Sequence, residues 1–373
     1  MASKILSSAV RLLFLGILFI FLFYPDKFNI TFEHPGYPQS DSIYLRMAKV
    51  AFWLLFVIEI LRVFYYGVVK SKSKGLLANI VTVVIPLLIT LVFLEIVFMY
   101  IPQSHEGVLS KASQIWWTKY WKPVNSLGYH DREVVKEEGK KNILFIGDSF
   151  AAGHGLKNVE ERFSDIIADK LGRDKYSMYN LGMSGADTRD EVRRLKEFPV
   201  KPDVIVLEYF PNDIEKVGRE KGLTLTGAEP YADLKGPFAT MVKRFYLPNF
   251  IYWQLPHASF GTFEKFVQTA YTDTTILNEH LRDLSKMIDY RDSTKSEMYA
   301  VFVPFLFQMD KSAGYTKPVE DFLRSKGVKV ITLTEEISAV PEKKRVVGKN
   351  DGHASAEVNA VIAEKLLKTM KLP

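Results

Sequence analysis

The sequence predicts an α/β fold, three layers with a parallel sheet between helices, preceded by a membrane region. Two observations predict it. From Asn142 onward short apolar runs alternate with helical periodicities, and before Ser104 three long stretches are apolar for most of their length. A third, a Gly-Asp-Ser turn directly after the first short apolar run, predicts that the sheet carries chemistry at its strand ends.

The N-terminal stretches are Val10 to Tyr24, Val50 to Val69 and Ile80 to Ile101, and the first extends back through Ile5 and Leu6. Crossing ~30 Å of hydrocarbon takes ~20 residues, so residues 1–103 are expected to form three transmembrane helices over about 5–24, 50–69 and 80–101. A cleaved signal peptide would explain the first stretch alone, but two more follow and no clear small-residue cleavage site separates them. Basic residues stay on the cytoplasmic side. Lys4, Arg11 and the KSKSK run Lys70 to Lys74 therefore place the N-terminus and that loop in the cytoplasm, and the domain that follows the third stretch outside it, on the periplasmic side of a bacterial inner membrane. The loop from Asp26 to Arg46 is mixed in charge. Glu59 and Arg62 sit i, i+3 on the second stretch and Glu95 lies on the third. Charges within a membrane are expected to pair with one another or to face a partner protein.

Residues 104–141 read as a connector, in which Trp116, Trp117, Tyr120 and Trp121 form an interfacial aromatic belt or pack on the following domain. Strands are expected at 142–146, 176–181, 203–208, 298–304 and 328–333, with helices near 159–171, 187–197, 275–290, 316–326 and 355–369. The alternation breaks between 215 and 274. That insertion carries Phe238, Phe245, Tyr246, Phe250, Tyr252, Trp253, Phe260, Phe263 and Phe266, and reads as a cap over the site, a membrane-resting patch or a helical unit with its own small core.

Composition narrows the chemistry. The 373 residues contain no cysteine, which excludes a disulfide scaffold, a thiolate nucleophile and cysteine-ligated metal. Seven scattered histidines suggest no metal cluster, no glycine-rich nucleotide loop is present, and the net charge of +6 accompanies no nucleic-acid motif. No cofactor, metal or nucleic acid is expected.

Four blocks carry the chemistry. Lys141 to Gly153, KNILFIGDSFAAG, delivers Ser149 from a buried strand. Tyr179 to Thr188, YNLGMSGADT, ends in a loop with Gly182 and Gly185; Pro202 to Asp213, PDVIVLEYFPND, emerges into Asn212; and Asn350 to His353, NDGH, opens the last helix. Singly each has an ordinary reading, as a turn, a cap or a solvated histidine. In order at the carboxyl ends of strands they supply what acyl transfer needs. A serine requires an imidazole to take its proton, the imidazole a carboxylate to fix its tautomer, and the developing oxyanion preorganised donors.

These blocks, with NSLGYHDRE ahead of the first strand, resemble the SGNH branch of the GDSL hydrolases over the residues from about Asn125 to the end. The resemblance implies a flavodoxin-like α/β/α domain over 142–373, with Ser149 as nucleophile, His353 as base and Asp351 as its orienting residue. It implies an oxyanion hole made by the backbone N–H of Ser149, the backbone N–H of Gly185 or Gly182, and the Asn212 side chain. Two positions depart from the family pattern. Phe210 stands where a glycine is usual, and Asn350 stands where the aspartate is usual, three residues before the histidine. His154 reads as a helix-entry or rim residue. The resulting expectation is a membrane-anchored serine esterase or O-acyltransferase acting on acyl esters of envelope carbohydrate or lipid, with the buried charges favouring a membrane acyl-transfer partner. The competing class is a non-catalytic assembly or binding subunit of the same fold.

Overall fold

The computed structural model describes residues 2–24, 27, 43–68, 74–106, 109–225, 231, 234–257, 260–307, 309–312 and 314–370. Two compact units emerge, one of residues 1–101 with 240–250 and one of residues 102–239 with 251–373.

The first unit holds α1 (Ala2–Phe23), α2 (Ile43–Val68) and α3 (Lys74–Phe98). Leu15, Leu22 and Phe52 make a small apolar contact between α1 and α2. Arg11 donates from Nε to Glu59 Oε2 at 2.9 Å, and Glu95 accepts the backbone N–H groups of Tyr246 and Leu247 at 2.6 and 2.9 Å. The charges expected to pair within the apolar region thus meet an arginine on another helix and a helix start. Among the described residues no helix is long and apolar enough to cross a membrane. The three spans expected from the sequence are therefore not shown by the structure, and most of the two loops used to orient them lies outside the described residues.

The second unit runs α4 (Lys111–Tyr120), β1 (Lys141–Ile146), α5 (Ser149–Ala152), α6 (Phe163–Leu171), β2 (Tyr176–Asn180), α7 (Thr188–Glu197), β3 (Val204–Tyr209) and α8 (Glu215–Glu220). It continues through α9 (Gly236–Arg244), α10 (Tyr246–Trp253), α11 (Phe260–Thr272), α12 (Thr274–Thr294), β4 (Glu297–Phe302), α13 (Met309–Ser312), α14 (Lys317–Ser325), β5 (Lys329–Thr332) and α15 (Thr334–Ser338), residues 240–250 of α9 and α10 being counted with the first unit. It closes with β6 (Val346–Gly348), β7 (Asp351–Ala354) and α16 (Ala356–Met370).

Five strands pair in parallel in the order β2-β1-β3-β4-β5. Successive side chains on a strand point to opposite faces, so Ile143 and Phe145 enter one core with Val204 and Val206. Leu144 and Ile146 enter the other with Ile205 and Leu207. Helices covering both faces explain why the strands are apolar runs rather than alternating ones. Each fully buried aliphatic side chain contributes about 1.5–3 kcal/mol. The chain steps from β2 back across β1 to β3, so the strand order reverses between β1 and β3. The crevice beyond the carboxyl ends at such a reversal is where open parallel sheets bind ligands.

One element departs from expectation. The segment holding Asp351 and His353 is not a loop opening the last helix but a short antiparallel pairing of β6 with β7, Val346 opposite Ala354 and Gly348 opposite Asp351. Three- and four-residue strands carry too little periodicity to be read from sequence.

Candidate active site

Ser149 begins α5 immediately past β1. Gly147 has a packing reason to be glycine, since a Cβ there would lie 2.6 Å from Glu208 Oε2 and 2.8 Å from the Ala151 Cβ. Asp148 caps α5, with Oδ1 accepting the Phe150 N–H at 2.8 Å. Its Oδ2 accepts Asn212 Nδ2 at 2.8 Å and faces the Ser149 hydroxyl at 3.4 Å. One carboxylate therefore fixes the serine turn and the Asn212 amide together, leaving the second Nδ2 hydrogen of Asn212 for another acceptor.

Asp351 and His353 are i, i+2 on β7, and this spacing puts both side chains on one face of the strand. His353 Nε2 lies 2.8 Å from Ser149 Oγ. Its Nδ1 forms a short hydrogen bond with Asp351 Oδ1, which also accepts the His353 backbone N–H at 3.2 Å. Asp351 Oδ2 accepts the Glu106 N–H at 2.5 Å. Burial alone would lower the His353 pKa, but the charge and hydrogen bond of Asp351, helped by Asp148, raise it above the ordinary histidine value. Against its own burial, Asp351 is held well below the usual carboxylate range by His353, His154 and the Glu106 amide. Asn350 points elsewhere. Its Oδ1 accepts the His257 N–H at 2.6 Å, and its Nδ2 donates to the carbonyls of Trp253 and Leu255 at 3.0 and 2.9 Å.

The two glycines of the second block separate cleanly. Gly182 donates its N–H to Asn180 Oδ1 at 2.8 Å, and a Cβ on it would sit 2.3 Å from the Ala152 nitrogen. It is a close-packing glycine whose amide is already engaged. Gly185 has φ +75° and open space around its missing Cβ. Met183 donates to the Gly147 carbonyl at 3.3 Å, and Arg194 bonds the carbonyls of Leu181 and Gly147 at 2.8 and 3.1 Å. These bonds lay the Gly182–Gly185 loop along the serine turn.

Several residues around the site carried no motif. His154 stacks on His353, with ring centroids 4.0 Å apart, and brings Nδ1 to 3.2 Å from Ser184 Oγ. Trp117 from α4 covers it at 4.7 Å, and Trp121 stacks on His130 at 3.6 Å. The connector tryptophans thus pack on the domain. Burial, reinforced by His353, pushes the His154 pKa down to about 3, so this ring is neutral at working pH. His154, Asp351 and His353 bring three possible metal-ligand atoms within 4.8 Å of one another. This corrects the expectation that the histidines are scattered, although Asp351 and His353 are already bonded to each other.

Beneath the serine turn Glu191, Glu208 and Asp213 are all buried. Burial, followed by mutual repulsion with Asp148 and one another, raises Glu208 and Asp213 well above the carboxylate range. Glu191, partly relieved by Arg194, is pushed up to about 8. Burial thus favours the neutral form in all three. Only their position on a strand and at element starts was visible in the sequence, because their burial depends on tertiary packing.

No protein-family model and no curated protein matches the chain. Solved structures of similar layout include a lipolytic protein of the G-D-S-L family from Veillonella parvula, 14% identical, covering 62% of this chain and 100% of that one at a TM-score of 0.39. The psychrotrophic esterase EstA from Pseudoalteromonas is 13% identical, covering 62% and 97% at 0.39. A two-domain esterase active on acetylated mannans is 13% identical, covering 62% of this chain and 49% of that one at 0.35. At such identities and TM-scores these likenesses assign no activity, and the functional argument rests on the side-chain geometry.

Proposed function

We propose that this protein is a serine esterase or acyl-transfer enzyme working through an acyl-serine intermediate. The observation that carries the reading is the hydrogen-bonded chain Ser149 Oγ, His353 Nε2, His353 Nδ1, Asp351 Oδ1, with Asn212 held beside it. His353 takes the proton as Ser149 Oγ forms a bond to the ester carbonyl carbon. The oxyanion is received by the Ser149 amide, the Gly185 amide and the free hydrogen of Asn212. Collapse breaks the bond to the leaving alkoxide, and His353 returns the proton to it. Water, or a sugar hydroxyl, then attacks the acyl-serine by the same route, with His353 again taking and returning one proton. The substrates are acyl esters of carbohydrate, acetyl esters among them, or lipid esters.

Residues 1–103 are proposed to anchor the enzyme, with the N-terminus cytoplasmic and the α/β domain extracytoplasmic. Supporting this are the three apolar stretches and the basic KSKSK run. A membrane acyl-transfer partner is proposed on the anchoring alone, since the buried Glu59 and Glu95 are engaged by Arg11 and by the Tyr246 and Leu247 amides. The activity is tested by nitrophenyl-ester turnover in wild-type, Ser149→Ala and His353→Ala proteins. Turnover lost in both variants with unchanged melting supports the reading, and turnover retained in Ser149→Ala sinks it. Protease accessibility of the domain in sealed inverted and right-side-out vesicles tests the topology.

A further inference from the structure

Beside Ser149 and His353 opens a cavity of about 220 Å³ lined by Phe150, Phe210, Phe263, Phe305, Leu306 and Phe307. Four separate parts of the chain supply these walls: the serine helix, the loop after β3, α11 of the insertion, and the loop after β4. Phe210 stacks on Phe150 at 4.1 Å and meets Phe305 edge-on at 5.3 Å. Phe263 closes on Phe305 at 5.6 Å. The polar side chains at the cavity are Ser149, Asn212 and His353 of the site itself and Glu264, which accepts a hydrogen bond from the Tyr315 hydroxyl at 3.3 Å.

We infer that this cavity is the acyl site and that it takes a saturated acyl chain of about six to eight carbons, with Phe210 and Phe263 as the residues that set its length. The inference rests on the serine-esterase reading and narrows it. A sugar ring placed here would lose water from its hydroxyls and find almost no partners among phenylalanine rings. An acetyl group would fill only the mouth. An apolar cavity of ~150 Å³ holds a six-carbon ring, so a volume of about 220 Å³ suits a slightly longer chain. The residue that departs from the glycine of the resembled pattern, Phe210, is part of the wall, so the departure has a physical use. Burying each methylene is worth roughly a fourfold gain in kcat/KM, until the chain meets the far wall.

The test uses full-length protein and nitrophenyl esters from acetyl to dodecanoyl, so that only the acyl part varies. A second series holds acetyl constant and lengthens the alcohol. The expected result is a kcat/KM that climbs at least tenfold from acetyl to hexanoyl or octanoyl and falls by dodecanoyl, while the alcohol series is nearly flat. Phe263→Ala moves the optimum to longer chains by two or more carbons, and Phe263→Trp moves it to shorter ones. An acyl series that is flat or best at acetyl overturns the inference, as does a rise confined to the alcohol series. Fluorophosphonate labelling of Ser149 is run in parallel. Labelling with a flat acyl profile sinks the acyl-site inference alone, whereas absence of labelling and of all turnover sinks the esterase reading with it.

Discussion

Replacing Asp351 by asparagine removes one charge and no volume, and its consequences follow from three donors. Asp351 Oδ1 accepts the His353 backbone N–H at 3.2 Å and bonds His353 Nδ1, while Oδ2 accepts the Glu106 N–H at 2.5 Å. An amide has one acceptor oxygen. If that oxygen stays towards His353, the NH2 faces the Glu106 N–H, donor against donor, and stability falls by about 1–3 kcal/mol. If the NH2 turns to His353, Nδ1 becomes the acceptor and Nε2 carries the proton, so it cannot accept one from Ser149. This second arrangement drops kcat by ~10³–10⁴, about 4–5.5 kcal/mol of barrier at 1.36 kcal/mol per decade. Asp351 also raises the His353 pKa. The base works when deprotonated, so wild-type activity rises with pH through a value above 6.5, the ordinary histidine value, and in Asp351→Asn this limb moves to lower pH. The assay is kcat and kcat/KM for hexanoyl ester between about pH 5 and 9, with melting recorded in parallel. A loss under tenfold with an unmoved acid limb would refute the orienting role of Asp351.

Asn212→Ala deletes an oxyanion donor and is expected to lower kcat by ~10²–10³ with little change in KM, read from the same steady-state assay. Gly182→Ala pushes a methyl against the Ala152 nitrogen at 2.3 Å and should lower stability by ~1–3 kcal/mol or more, whereas Gly185→Ala, strained only by its φ of +75°, should lower it by ~1 kcal/mol; thermal melts separate the two. Glu191→Gln tests the buried acids. Because the folded-state pKa is raised from 4.5 to about 8, wild-type stability declines as pH rises through that window, by at most ~1.4 kcal/mol per pH unit. The variant lacks this decline, so its melting-temperature advantage should widen from pH 5 to pH 8. His154→Phe keeps a ring against His353, and because His154 is already neutral, the variant should retain turnover within about tenfold.

Much of this organisation was legible in the sequence because it is written in local patterns. Strands β1 and β3 are buried on both faces and read as apolar runs, and Ser149 and Asn212 follow them directly. The departure at Asn350 was also interpretable, since Asp351 was the remaining carboxylate within reach of His353. What stayed hidden depends on residues distant in sequence. The clamp from Glu106 to Asp351 spans 245 positions, the stacking of His154 on His353 joins a residue outside the blocks to the last of them, and the phenylalanine-lined cavity is built from four segments. Glu208 stands near the end of an apolar strand, with its carboxylate beneath Gly147. Its burial and the charges near it are invisible to periodicity.

The central claim is that Ser149 carries the acyl group during turnover, and rapid quenching of a reaction with hexanoyl ester followed by peptide mass mapping tests it most directly. The account predicts a hexanoyl adduct on the peptide containing Ser149, absent in Ser149→Ala and in His353→Ala. Turnover that proceeds in Ser149→Ala, or an adduct on another residue at full occupancy, would contradict it.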